Sequence, residues 1–271
     1  MTETSIQPSL PRVRQFGRIN GRGLWTLYVK EVRRFLNVFT QTLLAPLVTT
    51  LLFLAIFTLA LGGAGRQIGG VDYAVFLAPG LMMMAILQNA FANTSSSLVI
   101  SKVQGNIVDL LMPPLSAAEL ALGIAGGGVT RGLLVGATVG LGMWAFVPLE
   151  LHNPLFVAYH ALMAATMLAL LGMIGGIWAE KFDHIAAVTN FVITPFSFLS
   201  GTFYSIERLP ESWQFIAHFN PFFYMIDGFR YGFIGHADGS LAVGALVMLA
   251  VNLSLWLLTH RLLHIGYRLK P

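Results

Sequence analysis

The chain has 271 residues, 56% of them apolar and only 10% charged, with a formal net charge of +4 and no cysteine. A soluble domain of this size keeps roughly a quarter of its residues charged to wet its surface, so the solvent implied here is lipid; disulfides and thiolate metal sites are excluded. The basic excess flanks apolar runs and does not gather on one soluble face, which argues for membrane topology and against nucleic acid as a partner.

Within hydrocarbon no water satisfies backbone N–H and C=O groups, so a spanning chain must be helical or form a closed barrel. The apolar runs are long and continuous, unlike the roughly ten-residue alternating segments of a barrel. The fold class expected is therefore an all-α polytopic membrane protein.

Residues 1–21 form a polar, Arg-rich, Pro-containing lead without the pattern of a cleavable signal, and the first membrane helix is expected to act as its own insertion signal. From Arg22 to Phe39, at about 100° per residue, Leu24, Trp25, Tyr28, Val32, Phe35, Leu36 and Phe39 fall on one side, and Thr26, Lys30, Arg33, Arg34 and Asn37 on the other. The pattern predicts a helix over 22–38 lying in the headgroup plane, with Trp25 and Tyr28 at the interface and Lys30, Arg33 and Arg34 toward anionic membrane lipids. A plain polar lead into the first span is the alternative, disfavoured because the stripe holds through four turns.

Six stretches free of Asp, Glu, Lys and Arg then read as spans: Val38 to Gly65, Tyr73 to Ser101, Gly132 to Leu149, Leu151 to Ala179, Ile185 to Ile206 and Leu241 to Thr259. The third and fourth almost touch at Glu150, His152, Asn153 and Pro154, which predicts an antiparallel hairpin. With the N-terminus inside, most Lys and Arg fall on the inner side and only Arg66, Arg208 and Arg230 outside. Both termini are thus expected in the cytoplasm, with 266–271 as a short tail. The glycine-rich turn Gly62 to Gly70 lacks the Lys and Ser or Thr of a phosphate loop.

Between the second and third spans, Gly105 to Met112 can form a short helix carrying Ile107, Val108, Leu110 and Leu111. Pro113 and Pro114 must end it, and Ser116 with Glu119 fits a capping box that opens the next helix. Such an element can present an apolar knob with Asp109 to a partner's groove, or pack on its own bundle; both readings stand. Arg131, among Gly126, Gly127, Gly128 and Gly132, is expected to lie just inside the membrane and reach the inner headgroups, with the glycines permitting close helix contacts.

After the fifth span, Phe198 to Tyr204, then Leu209-Pro210-Glu211-Ser212-Trp213, then His218 to Tyr224, with Asp227 and Arg230, alternate apolar runs and breakers too close together to cross a bilayer. They predict short re-entrant or interfacial helices on the outer side, serving either as a gate over a pathway, with Phe196, Phe198, Phe203, Tyr204, Phe222 and Phe223 as candidates, or as an aromatic belt.

The order of parts resembles the permease subunits of type 2 ATP-binding-cassette (ABC-2) exporters. It rests on the amphipathic N-terminal helix, the Gly105-Asn106-Ile107-Val108-Asp109-Leu110-Leu111 helix with its Pro-Pro stop, and the Leu-Pro to Asn-Pro segment before the last span. The likeness covers nearly the whole chain after Gly21 and implies an ABC-2 transmembrane domain over 22–265, with the six spans within 38–262. It further implies that Gly105 to Met112, closed by Pro113 and Pro114, is a coupling helix docking into the ATPase, braced by the interface helix. Glu180-Lys181-Phe182-Asp183 is similar to a second contact, or is a solvated inner turn. Two copies of an ABC ATPase subunit, a second permease copy in a homodimer, and a bacterial inner-membrane location are also implied.

The chain has no GxxxxGK[ST] motif, and none of Lys30, Lys102, Lys181 or Lys270 follows a glycine. No catalytic residue, metal ligand or cofactor is therefore assigned to this chain; ATP and Mg are expected on the partner. A wall of Met82, Met83, Met84, Phe191, Phe196 and Phe198 suits a hydrophobic or amphipathic cargo such as a drug, lipid or glycan. An ion-coupled secondary transporter is the first rival, disfavoured because the six runs hold no Asp or Glu and only His152 and His160. A non-transporting membrane assembly protein is the second.

Overall fold

The computed structural model describes residues 19–61, 67–68 and 70–269. Most of the polar lead, most of the glycine-rich turn and the last two residues lie outside that range.

Helix α1 (Gly21–Leu36) passes through a π-turn at Thr40–Leu44 into α2 (Ala45–Leu61), and a two-residue antiparallel hairpin, β1 (Gln67–Ile68) and β2 (Val71–Asp72), leads into α3 (Tyr73–Val103). The short α4 (Ile107–Leu111) precedes α5 (Ala117–Trp144) and α6 (Pro154–Trp178). The fifth span is α7 (Phe182–Val188), a π-turn at Thr189–Ile193, and α8 (Thr194–Leu199). Then come α9 (Glu211–His218), α10 (Pro221–Ile234) and α11 (Leu241–His264). Among the described residues six helical segments are long and apolar enough to cross a membrane and there is almost no sheet, so the protein is an all-α polytopic membrane protein. At 8 and 14 residues, α9 and α10 are about 12 and 21 Å long, too short to cross the roughly 30 Å hydrocarbon layer.

The third span is placed differently from the sequence expectation. A search for uncharged stretches starts it at Gly132, whereas the helix runs from Ala117 to Trp144. The charge that stopped the search, Arg131, sits halfway along it. The fifth span likewise ends at Leu199, not Ile206, because Gly201 adopts a left-handed φ of 76° and turns the chain.

The core is a packed trio. α3 makes its most extensive contacts with α6 and α5, and glycines set the spacing. A Cβ at Gly128 would meet the Thr94 methyl at 2.6 Å, and one at Gly132 the Ile86 carbonyl at 3.0 Å. From α6, Gly176 lies as close to Leu98 and the Ser95 carbonyl. Without a hydrophobic force between helices in lipid, close backbone approach supplies the packing energy, and glycine permits it.

Candidate functional site

The sequence singled out the elbow between α3 and α5, and its geometry follows from local chemistry. Gly105 has φ of 73°, a conformation that costs a side chain, and it ends α3 and starts α4. Pro113 and Pro114 stop α4 after five residues. Ser116 then caps α5: Glu119 Oε2 accepts from both the Ser116 backbone N–H and its hydroxyl at 2.7 Å, and the Glu119 N–H donates to Ser116 Oγ at 3.3 Å. This capping box was legible in the sequence.

Asn20 was not. Its backbone N–H donates to Glu119 Oε1, its side-chain amide donates to the Pro114 carbonyl at 3.2 Å, and its Oδ1 accepts from the Gly23 N–H at 3.0 Å to cap α1. One residue, through its side chain and its backbone N–H, thus ties the start of α1 to the Pro-Pro elbow and to the start of α5.

Helix α4 has two faces. Ile107 and Leu110 are buried in a cluster with Leu27 of α1, Leu98 of α3 and Ile124 of α5. Val108, Asp109 and Met112 are exposed, Met112 at 76% of its surface, while Leu111 is half-buried and Asn106, Pro113 and Pro114 line the exposed bend. Beside it lies an open groove of about 810 Å³ with Arg22, Thr26 and Lys30 of α1 on one wall and Asp109 and Leu110 on the other. The helix thus carries an exposed tip, with Asp109 in its middle, on a base that is packed into the bundle.

Helix α1 carries more structure than a surface helix needs. Of the predicted apolar stripe, Trp25 and Leu36 are exposed, as is Phe39 beyond the end of the helix, whereas Leu24, Tyr28 and Val32 are half-buried and Phe35 is buried. The face turned to the bundle is different: Leu27, Glu31 and Phe35, one helical turn apart, are buried. Glu31 has no exposed surface, and its Oε2 accepts from Arg34 Nε at 3.2 Å and Nη2 at 3.0 Å, while Oε1 accepts from the Ser97 hydroxyl at 2.8 Å. Arg34 also donates to the Asn93 carbonyl at 2.6 Å, to Asn93 Oδ1 at 3.0 Å and to Ser96 Oγ at 3.2 Å. Arg34 therefore faces α3 and not the headgroups; Lys30 and Arg33 remain exposed. Gly123 and Gly127 of α5 let the Leu27 and Glu31 side chains approach below 3 Å of where a Cβ would stand, and Tyr28 meets Thr130 hydroxyl to hydroxyl at 2.9 Å. Sequence reasoning missed Glu31, although its i,i+3 spacing to Arg34 was a readable signal.

The far end of α3 is closed by the short helices. Arg230 is buried, with Nε donating to the Phe76 carbonyl at 3.2 Å, Nη2 to the Gly201 carbonyl at 2.6 Å, and the guanidinium 3.9 Å over the Phe76 ring. Asp227 accepts from the backbone N–H groups of Asp238 at 2.8 Å and Gly239 at 3.0 Å, and Asp238 accepts from the Ile206 N–H at 2.8 Å. Burial pushes the Asp227 carboxyl above its ordinary range, against these donors and the nearby Arg230. Phe203, Phe222 and Phe223 are buried in the main core, Phe198 is half-buried and stacked on Phe203, and Phe196 is exposed. Phe196 and Tyr204 line an apolar cavity of about 490 Å³ with Trp213 and Phe219.

Six spans, a polar-bolted helix at one end and an anchored elbow with an exposed tip define a multi-pass membrane protein. Residues 22–234 match the family described as ABC-2 type transporter, and the chain belongs to that family. It is 40% identical over 242 residues to the protein named inner membrane transport permease YadH of Escherichia coli K12, covering 88% of this chain and 94% of that one. It is also 29% identical over 229 residues to nodulation protein J of Rhizobium leguminosarum bv. trifolii, covering 82% and 87%. The protein is thus a multi-pass inner-membrane permease subunit of an ABC transporter, and the family implies an ABC ATPase partner.

Proposed function

We propose that this chain is the membrane subunit of an exporter that moves a hydrophobic or amphipathic molecule outward, working as a homodimer with two copies of a separate ATPase subunit that bind ATP and Mg. In this reading both termini are cytoplasmic, the chain itself hydrolyses nothing, and α4 is the coupling helix. The observation that carries it is the division of α4 into an exposed tip, Val108, Asp109 and Met112, and a base, Ile107 and Leu110, shared with α1, α3 and α5. A push on the tip by the closing ATPase cannot be absorbed locally. It passes through Leu27 and the Glu31–Arg34 bolt into the bundle, because packed interiors transmit displacement instead of deforming.

The test is co-purification of this chain with its ATPase, followed by ATP-dependent transport in vesicles. Val108→Asp with Met112→Asp should lose ATPase co-purification and transport while keeping the yield and melting temperature of the unaltered chain, since both side chains point away from the core. Normal transport by that double variant would remove α4 from the coupling role. Cargo movement on an ion gradient without ATP would overturn the whole reading in favour of a secondary transporter; no cargo movement and no ATPase would favour an assembly protein.

A further inference from the structure

Arg131 occupies a position that the coupling mechanism does not use. It lies halfway along the 28-residue α5, a helix about 42 Å long against roughly 30 Å of hydrocarbon. Even with all the excess length placed before the membrane, Arg131 stays about 9 Å inside it. Reaching for headgroups along its own helix is not what it does. Nε and Nη2 donate to Asn89 Oδ1 of α3 at 3.3 and 3.1 Å, and Asn89 is itself oriented by donating to the Ala85 carbonyl at 3.0 Å.

No carboxylate lies within 4.0 Å of the Arg131 guanidinium among the described residues, whereas Arg34, which meets α3 one turn away at Asn93, has Glu31. Nη1 has no protein acceptor among them either. Beside Arg131 opens a cavity of about 630 Å³ between α2, α3 and α5. Gln41, Thr49 and Gln88 contribute polar groups to its wall, and Phe53, Leu81 and Met84 an apolar part. The π-turn at Thr40–Leu44 borders the same space, and such turns occur where a helix is shaped around a site. An uncompensated cation inside the membrane is expensive and is retained where it has a ligand.

We propose that this cavity binds amphipathic molecules with an acidic group, a phosphate, sulfate or carboxylate, and that the Arg131 guanidinium is the counter-ion that selects for it. The guanidinium supplies planar N–H donors suited to such oxyanions, Gln41 and Gln88 can complete the hydration shell, and the Phe53, Leu81 and Met84 wall takes the chain. Neutral and cationic amphiphiles of the same length are discriminated against. The cargo class deepens the exporter reading and rests on it, but the binding site does not.

The test is equilibrium binding to the purified full-length chain in nanodiscs, without ATPase or nucleotide, using dodecyl phosphate, dodecyl maltoside and dodecyltrimethylammonium. Dodecyl phosphate should bind roughly tenfold or more tightly than the other two. Arg131→Gln should reduce that preference to about twofold or less, and Arg131→Lys should retain most of it. If Arg131→Gln does not fold, Thr49→Asp, which adds a carboxylate to the same cavity and leaves Arg131 in place, should abolish the preference. Inorganic phosphate as competitor distinguishes sources of the acidic group: displacement of dodecyl phosphate indicates a site for free anions, and no displacement a site that requires the chain. Equal binding of the three probes, or an undiminished preference in Arg131→Gln or Thr49→Asp, overturns the proposal and leaves Arg131 a packing residue. Absence of ATP-driven transport with the binding preference intact would instead sink the exporter reading alone.

Discussion

α2 and α3 are consecutive spans built on opposite plans. In the most apolar window of α3, 83% of residues are buried inside the protein; in the first span, Thr40–Ala60, only 11% are, although that span is the more apolar of the two. α3 is lined with Asn89, Asn93, Thr94, Ser95 and Ser97, all buried. The contrast teaches that in lipid the polar residues mark the inside. A helix facing hydrocarbon must be apolar all round, whereas one enclosed by neighbours can carry groups that hydrogen-bond across the interface, as Thr94 Oγ1 does to the Ala169 carbonyl at 2.8 Å. The fixed element is α3, and the adaptable surface is α2 with α11.

If that contrast is correct, the largest effect belongs to the α3–α6 contact. A Cβ at Gly172 would fall on Thr94 Oγ1 and within 2.5 Å of the Phe91 carbonyl, both rigid neighbours. Gly172→Val should destabilise the protein by about 3 kcal/mol or more, read as loss of the monodisperse peak and of the thermal transition in detergent. Survival of that variant with an unchanged transition would mean that α3 and α6 are not packed as described.

Next comes the bolt between α1 and α3. Glu31→Ala leaves Arg34 beside α3 without its carboxylate and leaves the Ser97 hydroxyl without its acceptor, which should cost about 3 kcal/mol. The double variant Glu31→Ala with Arg34→Leu should recover part of that loss, because the unpaired charge goes too. A double variant worse than the single one would show that Arg34 is held mainly by Asn93 and Ser96.

These two sites differ in how readily they were read. The spans followed from uncharged apolar runs because lipid leaves the chain no other option, and the capping box at Ser116 and Glu119 followed from local chemistry alone. The apolar stripe predicts helix α1, but a wheel drawn for apolarity mixes exposed Trp25 and Leu36 with buried Phe35 and hides the bundle face, since the buried residue at its centre is a glutamate. The sequence expectation sets Arg131 at the edge of its span for a related reason: a charge reads as a boundary, whereas here Asn89 of another helix accepts its hydrogen bonds midway along α5. The Asn20 tie joins residues about a hundred positions apart, and no local pattern announces it. Where a polar residue's partner is on its own helix, as with Glu31 and Arg34, the spacing at least carries a signal; where the partner is on a neighbour it carries none.

A smaller effect is expected on α11, most of whose surface is open. Leu253→Ala, at an exposed position, should change stability by no more than about 0.5 kcal/mol. Asn252→Leu, one residue away, removes donors to the Met163 carbonyl at 3.1 Å and the Met248 carbonyl at 2.9 Å and should cost about 1 kcal/mol. Equal responses at the two positions would erase the distinction between an inside and a lipid side on that helix.

The smallest effect on stability, and the sharpest on the comparison, concerns the fifth span. Phe182–Leu199 is the least apolar of the six and also hardly buried, at 11%. Lipid accounts for the largely bare Phe191 but not for Asn190, a polar side chain exposed halfway along the span. If the chain pairs as the proposed homodimer, this face is expected to meet the second copy, where Asn190 would find a hydrogen-bond partner. Because the chain has no cysteine, Asn190→Cys is a clean single-site probe. It should leave the melting temperature unchanged and yield a covalent dimer with a short bifunctional thiol cross-linker in membranes, while Leu253→Cys on α11 should not. Cross-linking at both positions alike would indicate random collision, and none at Asn190→Cys would place the partner on another face.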